Sequence, residues 1–156
     1  VHALNPDGTP QRTPLGALVP TYDQTTIQEF ARVFTGWNFA NIPWHEWRGN
    51  GNRTQLMVAV AAYHDTGPKL LLQNVLVPGG QSAQQDLDAA LDNVFNHPNI
   101  GPFLASQLIK RFTTSNPTPA YVARVAGVFN DNGNGVRGDL AAVLRAILLD
   151  QEARQG

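Results

Sequence analysis

The stretch from His97 to Arg154 constrains this chain most. Three helical patterns follow one another there, each with its own start signal and apolar face. Asn99 or Gly101 opens the first, with Pro102 near its first position, where a missing N–H is harmless. Phe103, Leu104, Leu108, Ile109 and Phe112 give it a broad apolar surface. Lys110 and Arg111 stand in its last turn, where the helix dipole favours cations. Thr118 caps the second and Pro119 takes its N1 position. Tyr121, Val122, Val125, Val128 and Phe129 then recur as an inward face. Asp139 caps the third, whose core face reads as Leu140, Val143, Leu144, Ile147 and Leu148.

Two more helices are expected upstream. After Asp23 as N-cap, Ile27, Phe30, Ala31 and Phe34 mark one helical face. Gly36 reads as its C′ stop, with Trp37 folding back on the last turn. Ser82 with Gln85 resembles a capping box, followed by Leu87, Ala90, Leu91, Val94 and Phe95 as the buried side. Asp86, Asp88 and Asp92 belong to its first half or outer face, where carboxylates are tolerated. Two β-leaning runs, 55–64 and 69–77, flank the turn signal D-T-G-P and predict a hairpin. The expected fold is mainly α: about five packed amphipathic helices with a small β-hairpin at the edge. Residues 1–21, with Pro10, Pro14 and Pro20, read as an irregular arm. Residues 22–154 read as a single mainly helical domain.

The 156 residues suffice for one domain with a sizeable core. A net charge of -1 gives no electrostatic reason to bind nucleic acid. No cysteine is present, so there is neither a disulfide framework nor a thiolate metal site. No apolar run approaches the roughly 18 residues of a membrane helix. All basic residues but Lys69 and Lys110 are arginine, which suits fixed bidentate ion pairs. The opening V-H-A-L-N-P-D-G-T-P reads as mid-chain sequence, the expectation being a fragment of a longer protein.

Six motifs stand in order along the chain: F-A-R-V-F-T-G-W, Y-H-D-T-G-P-K, H-P-N-I-G-P-F-L-A-S-Q-L-I-K-R-F, S-N-P-T-P-A-Y-V-A-R-V, G-V-R-G-D-L and A-I-L-L-D-Q-E-A-R. Together they resemble the bacterial domain-of-unknown-function family 1800, over roughly residues 22–154. The resemblance implies an exported protein of which this chain is the C-terminal part, with the remaining N-terminal part as a partner. The family has no established reaction, so the resemblance assigns no catalytic residue.

Four stretches carry chemistry-bearing side chains. The first is Trp37 with Trp44, His45, Glu46, Trp47 and Arg48. Exposed indoles stack on sugar rings while polar neighbours bond hydroxyls, and aromatics mark interfaces generally; buried, the same side chains would pin a long loop. The second is His64, Asp65 and Lys69, where a His–carboxylate pair would tune a general base. The plainer reading is an Asp serving the turn backbone.

The third is the Asn130–Asp139 turn cluster. With Asn130 at position 1 of a calcium loop Gly135 falls at position 6, but Ala141 stands where the bidentate Glu belongs. The fourth is the set Arg111, Arg124, Arg137, Arg145, Asp150, Glu152 and Arg154, suited to ion pairs between helices. His45, His64 and His97 have no metal-binding spacing, and no cofactor fingerprint occurs. The carboxylates Glu29, Glu46 and Asp65 stay unranked, because glycosidase acids are defined by separation in space. The expectation is a non-catalytic binding or assembly domain of an exported protein, contacting polysaccharide through the aromatic loop. The alternative is a hydrolase acting on polysaccharide or another polymer with carboxylate or histidine acid–base groups.

Overall fold

The computed structural model describes residues 1–42 and 52–155. It is mainly α, with two small antiparallel two-stranded sheets. The elements run α1 (Gln24–Val33), β1 (Trp37–Asn38), β2 (Val58–Ala59), β3 (Lys69–Leu70), β4 (Leu76–Val77), α2 (Ala83–Phe95), α3 (Ile100–Phe112), α4 (Pro119–Asn130), α5 (Leu140–Leu149) and α6 (Gln151–Gln155). Two compact units emerge, one of residues 1–21 with 96–156 and one of residues 22–95. Among the described residues no helix is long and apolar enough to cross a membrane.

The first unit is built on α3, α4 and α5. Ala105 and Ile109 of α3 meet Tyr121, Val122, Val125, Ala126 and Phe129 of α4 and Val143 and Ile147 of α5 in one buried cluster. Thr118 and Asp139 cap α4 and α5 as expected, accepting from the N–H groups of Tyr121 and Ala142. The apolar faces are narrower than the sequence suggests. Phe103, Phe112, Leu140, Leu144 and Leu148 are exposed; α3 buries Gly101, Pro102, Ala105 and Ile109 instead, and α5 buries Val143 and Ile147. Residues 1–20 form short bridges, His2 with Pro20, Leu4 with Pro10 and Arg12 with Leu18. The buried Asn99 side chain fastens this segment, accepting from Leu4 N–H and donating to His2 O and Thr21 Oγ1.

In the second unit Asp23 caps α1, and Ser82 with Gln85 closes a reciprocal capping box on α2. The aliphatic core is small: Val33, Leu71, Val77 and Ala90, with Phe30 and Ala89 packed on it. The hairpin is not the one the two β-leaning runs suggest. Residues 58–59 pair with 37–38, so Trp37 enters a strand instead of folding back on α1. The run 69–77 folds on itself, Lys69 opposite Val77 and Leu70 opposite Leu76. Gln73 and Asn74 occupy its turn at φ 57° and 58°, the left-handed pair that a type I′ turn requires.

Candidate functional site

The motifs around Arg32 and His64 converge in the second unit. Where α1 ends, Gly36 turns the chain at φ 82°; a Cβ there would press on the His64 backbone N at 3.0 Å. That close approach seats His64 beside Thr35. Thr35 Oγ1 donates to Arg32 O at 2.6 Å and accepts from Asp65 N–H at 2.8 Å. Asp65 takes the Arg32 guanidinium through both oxygens and accepts from Gly67 N–H in an Asx turn. Gly67 is small because Arg32 lies against it: a Cβ would stand 2.5 Å from Nη2. Glu29, one turn back on α1, grips the same guanidinium and accepts from Leu70 N–H.

Beneath this exposed pairing lies a buried one. His64 Nε2 is 3.0 Å from Asp86 Oδ2, and Lys69 Nζ is 2.5 Å from the same oxygen, with all three side chains about 1 % exposed. The other two Lys69 hydrogens go to Asp65 O and Gly67 O. An ammonium with three acceptors is fully coordinated. His64 Nδ1 faces Thr35 O at 3.1 Å. Asp86 Oδ1 is buried without a hydrogen-bond partner among the described residues. Asp86 therefore lies in the interior, not on the outer face of α2. It shares the buried face of α2 with Ala83 and Ala90.

Charge follows the geometry. Hydrogen bonds from Arg32, then from Gly67 N–H, hold Asp65 well below the usual carboxylate range. Desolvation pushes Glu29 up, but hydrogen bonds from Arg32 and Leu70 N–H outweigh it, and the carboxyl ends below its usual value. Asp65, then Glu29, raise Arg32 further still. Both carboxylates are thus committed to one guanidinium.

Beside this network lies an apolar hollow of about 530 Å³ lined by Phe34, Trp37, Leu56, Met57, Gln84 and Leu87. A smaller one of about 260 Å³ is lined by Tyr22, Thr26, Ile27, Phe30 and Leu72. Trp37 Nε1 is buried without a hydrogen-bond partner among the described residues. Of the aromatic-loop candidates, Trp44, His45, Glu46, Trp47 and Arg48 lie outside the described residues. Trp37 alone of that set is placed, on the hollow. His64, Asp65 and Lys69 are brought together, but the carboxylate partner of His64 is Asp86. Arg32, Thr35 and the role of Asp86 were missed by sequence reasoning, and Glu29 stood only among the unranked carboxylates; the readable signals were the Glu29–Arg32 spacing and an acid on an alanine stripe.

The other candidate stretches are engaged locally. Asp131 Oδ1 accepts from the N–H groups of Gly133 and Gly135, and Asn132 Oδ1 from those of Asn134 and Val136. Asn130 Oδ1 is held by Arg137. Arg124 grips Asp150 through both oxygens, tying α4 to the α5–α6 junction. Among the described residues no three His, Asp or Glu side chains cluster as metal ligands.

Comparison with known proteins gave one finding of family. The family described as "Protein of unknown function (DUF1800)" matches residues 8–156. No curated protein and no solved structure matches the chain. The Arg32–Asp65 contact joins two of the motifs that carry the resemblance to that family, and the chain belongs to it.

Proposed function

We propose that this chain is a non-catalytic binding domain whose hollow beside Trp37 takes a polysaccharide. The observation that carries this is the pairing of an open, aromatic-walled hollow with an adjoining polar network whose cations are committed. A volume of about 530 Å³ falls within the roughly 300–1,000 Å³ of small-ligand pockets. Phe34 and Trp37 offer flat apolar faces to a sugar ring, and the Gln84 amide offers a donor and an acceptor to its hydroxyls. Lys69 has no free N–H, and Asp65 and Glu29 share Arg32; none of them is poised to move a proton to substrate. Export to a compartment where polysaccharide is met belongs to the same proposal.

A second reading, a polymer hydrolase using His64 with Asp86, is favoured by the unpartnered Asp86 Oδ1. One assay separates them: incubation with insoluble polysaccharides, measuring protein lost from the supernatant and reducing ends released. Binding predicts depletion without new reducing ends, abolished by Trp37→Ala. Release of reducing ends that is lost in His64→Gln would establish the hydrolase instead.

A further inference from the structure

We propose that α5 of one copy of this chain docks on the face that α1 and α2 leave uncovered in a second copy. This goes beyond sugar binding and does not depend on it. Leu140, Leu144 and Leu148 stand at i, i+4 and i+8 on α5, each more than a third exposed. That spacing sets them in one ridge, about 12 Å long at roughly 1.5 Å of rise per residue. The charge on α5 is Arg145, exposed beside the ridge. An apolar ridge with a basic flank is the surface of an amphipathic helix, and it lacks a cover.

A matching groove exists in residues 22–95. Phe34 of α1 and Leu87 of α2 line one hollow, so the helix faces they belong to are neighbours. One face continues away from Trp37 through Phe30 to Ile27, the other to Leu91 and Val94. Ile27 is 48 % and Leu91 56 % exposed. From Ile27 to Phe34 the groove runs about 11 Å, close to the length of the ridge. Apolar grooves between helices take the apolar face of an amphipathic helix. Charge selects this partner further. α2 carries Asp86, Asp88 and Asp92 and no basic residue, and Asp88 and Asp92 are exposed. Arg145 thus meets opposite charge in the groove. Pairing of the ridge with itself about a twofold axis would instead set Arg145 of one copy against Arg145 of the other. The buried aliphatic cluster of this unit is also small, so a docked helix adds apolar burial where the chain has least.

Ridge and groove are different surfaces, so the contact is heterologous and copies can add at both ends. The test is sedimentation equilibrium of the full chain, without sugar, from about 10 μM to about 1 mM. The wild-type mass is expected to climb with concentration. Leu148→Glu spoils the ridge and Ile27→Glu spoils the groove, and each variant alone is expected to stay monomeric, its Kd raised at least about tenfold. In an equimolar mixture each chain keeps one intact surface, and the mass is expected to return to that of two chains and no more. Circular dichroism checks that each variant is folded; Leu148→Ser and Ile27→Ser serve if it is not. A wild-type chain that stays monomeric throughout overturns the proposal. So does an Ile27→Glu chain that associates as the wild type does, which would mean the ridge pairs with itself, or a mixture that stays monomeric.

Discussion

Lys69 Nζ lies 2.5 Å from Asp86 Oδ2, with both side chains closed off from solvent. The lysine comes from β3 and the aspartate from α2, so the pair pins the hairpin to the helix. Its unit has few buried aliphatic side chains, and the polar network takes over part of the work of holding it together. Removing one partner leaves a buried charge without compensation, which costs about 3–5 kcal/mol. Lys69→Met should therefore lower stability by about that much in urea unfolding, and Lys69→Met with Asp86→Leu should recover most of it. A single variant as stable as wild type would show that the pair is not closed to water.

Acid should loosen the Arg32 clamp. The hydrogen bonds from Arg32 lower the Asp65 pKa on folding, so the unfolded chain binds more protons in the acid range. The contribution is present above the unfolded value of about 3.9 and is lost as pH falls through and below it. Urea midpoints measured downward from neutral pH should drop more steeply for wild type than for Asp65→Asn. Parallel curves would contradict the assignment.

His97 works over a different range. Burial lowers its pKa, and its Nδ1 accepts from Asn99 N–H. Below about 6.5 the unfolded chain takes a proton that the folded ring resists, so stability is full above that value and declines as pH falls beneath it. His97→Asn keeps an acceptor for Asn99 N–H and should flatten the slope between about pH 7 and pH 5. An unchanged slope would place the titration elsewhere.

Tyr121 OH donates to Ile147 O at 2.6 Å, both out of solvent. Ile147 is in the last turn of α5, where carbonyls lack helical partners. Tyr121→Phe leaves that oxygen bare and should cost about 1–3 kcal/mol, read as a lower urea midpoint with unchanged slope. A neutral effect would mean that Ile147 O finds another donor.

The starts of α1, α4 and α5 were legible because a cap bonds to an N–H three residues on, a purely local event. The role of Asp86 was not, because His64 stands 22 residues away in sequence and nothing local announces the pairing. The hairpin was misplaced for a related reason. D-T-G-P reads as a reversal, but Asp65 is drawn to Arg32 and Lys69 to Asp86, while Gln73 and Asn74 make the actual turn in left-handed conformations. Leu140, Leu144 and Leu148 share a helical period with Val143 and Ile147, and periodicity alone does not say which edge of a wide apolar face is covered.

That turn also gives a prediction of opposite sign. A non-glycine residue in the left-handed region costs roughly 1–2 kcal/mol. Replacing Gln73-Asn74 by Asn-Gly, the pair favoured in type I′ turns, should raise stability by about 1 kcal/mol after the entropy of the added glycine is allowed for. A loss of stability would show that the two side chains contribute contacts of their own.

The most direct measurement is a map of amide chemical shifts on titrating the chain with a soluble oligosaccharide that it binds. The signals expected to move are those of Phe34, Trp37, Met57, Gln84 and Leu87, with Lys69 and Arg32 nearly still. Shifts centred on any other surface, or on His64 and Asp86 with product appearing in the tube, would contradict it.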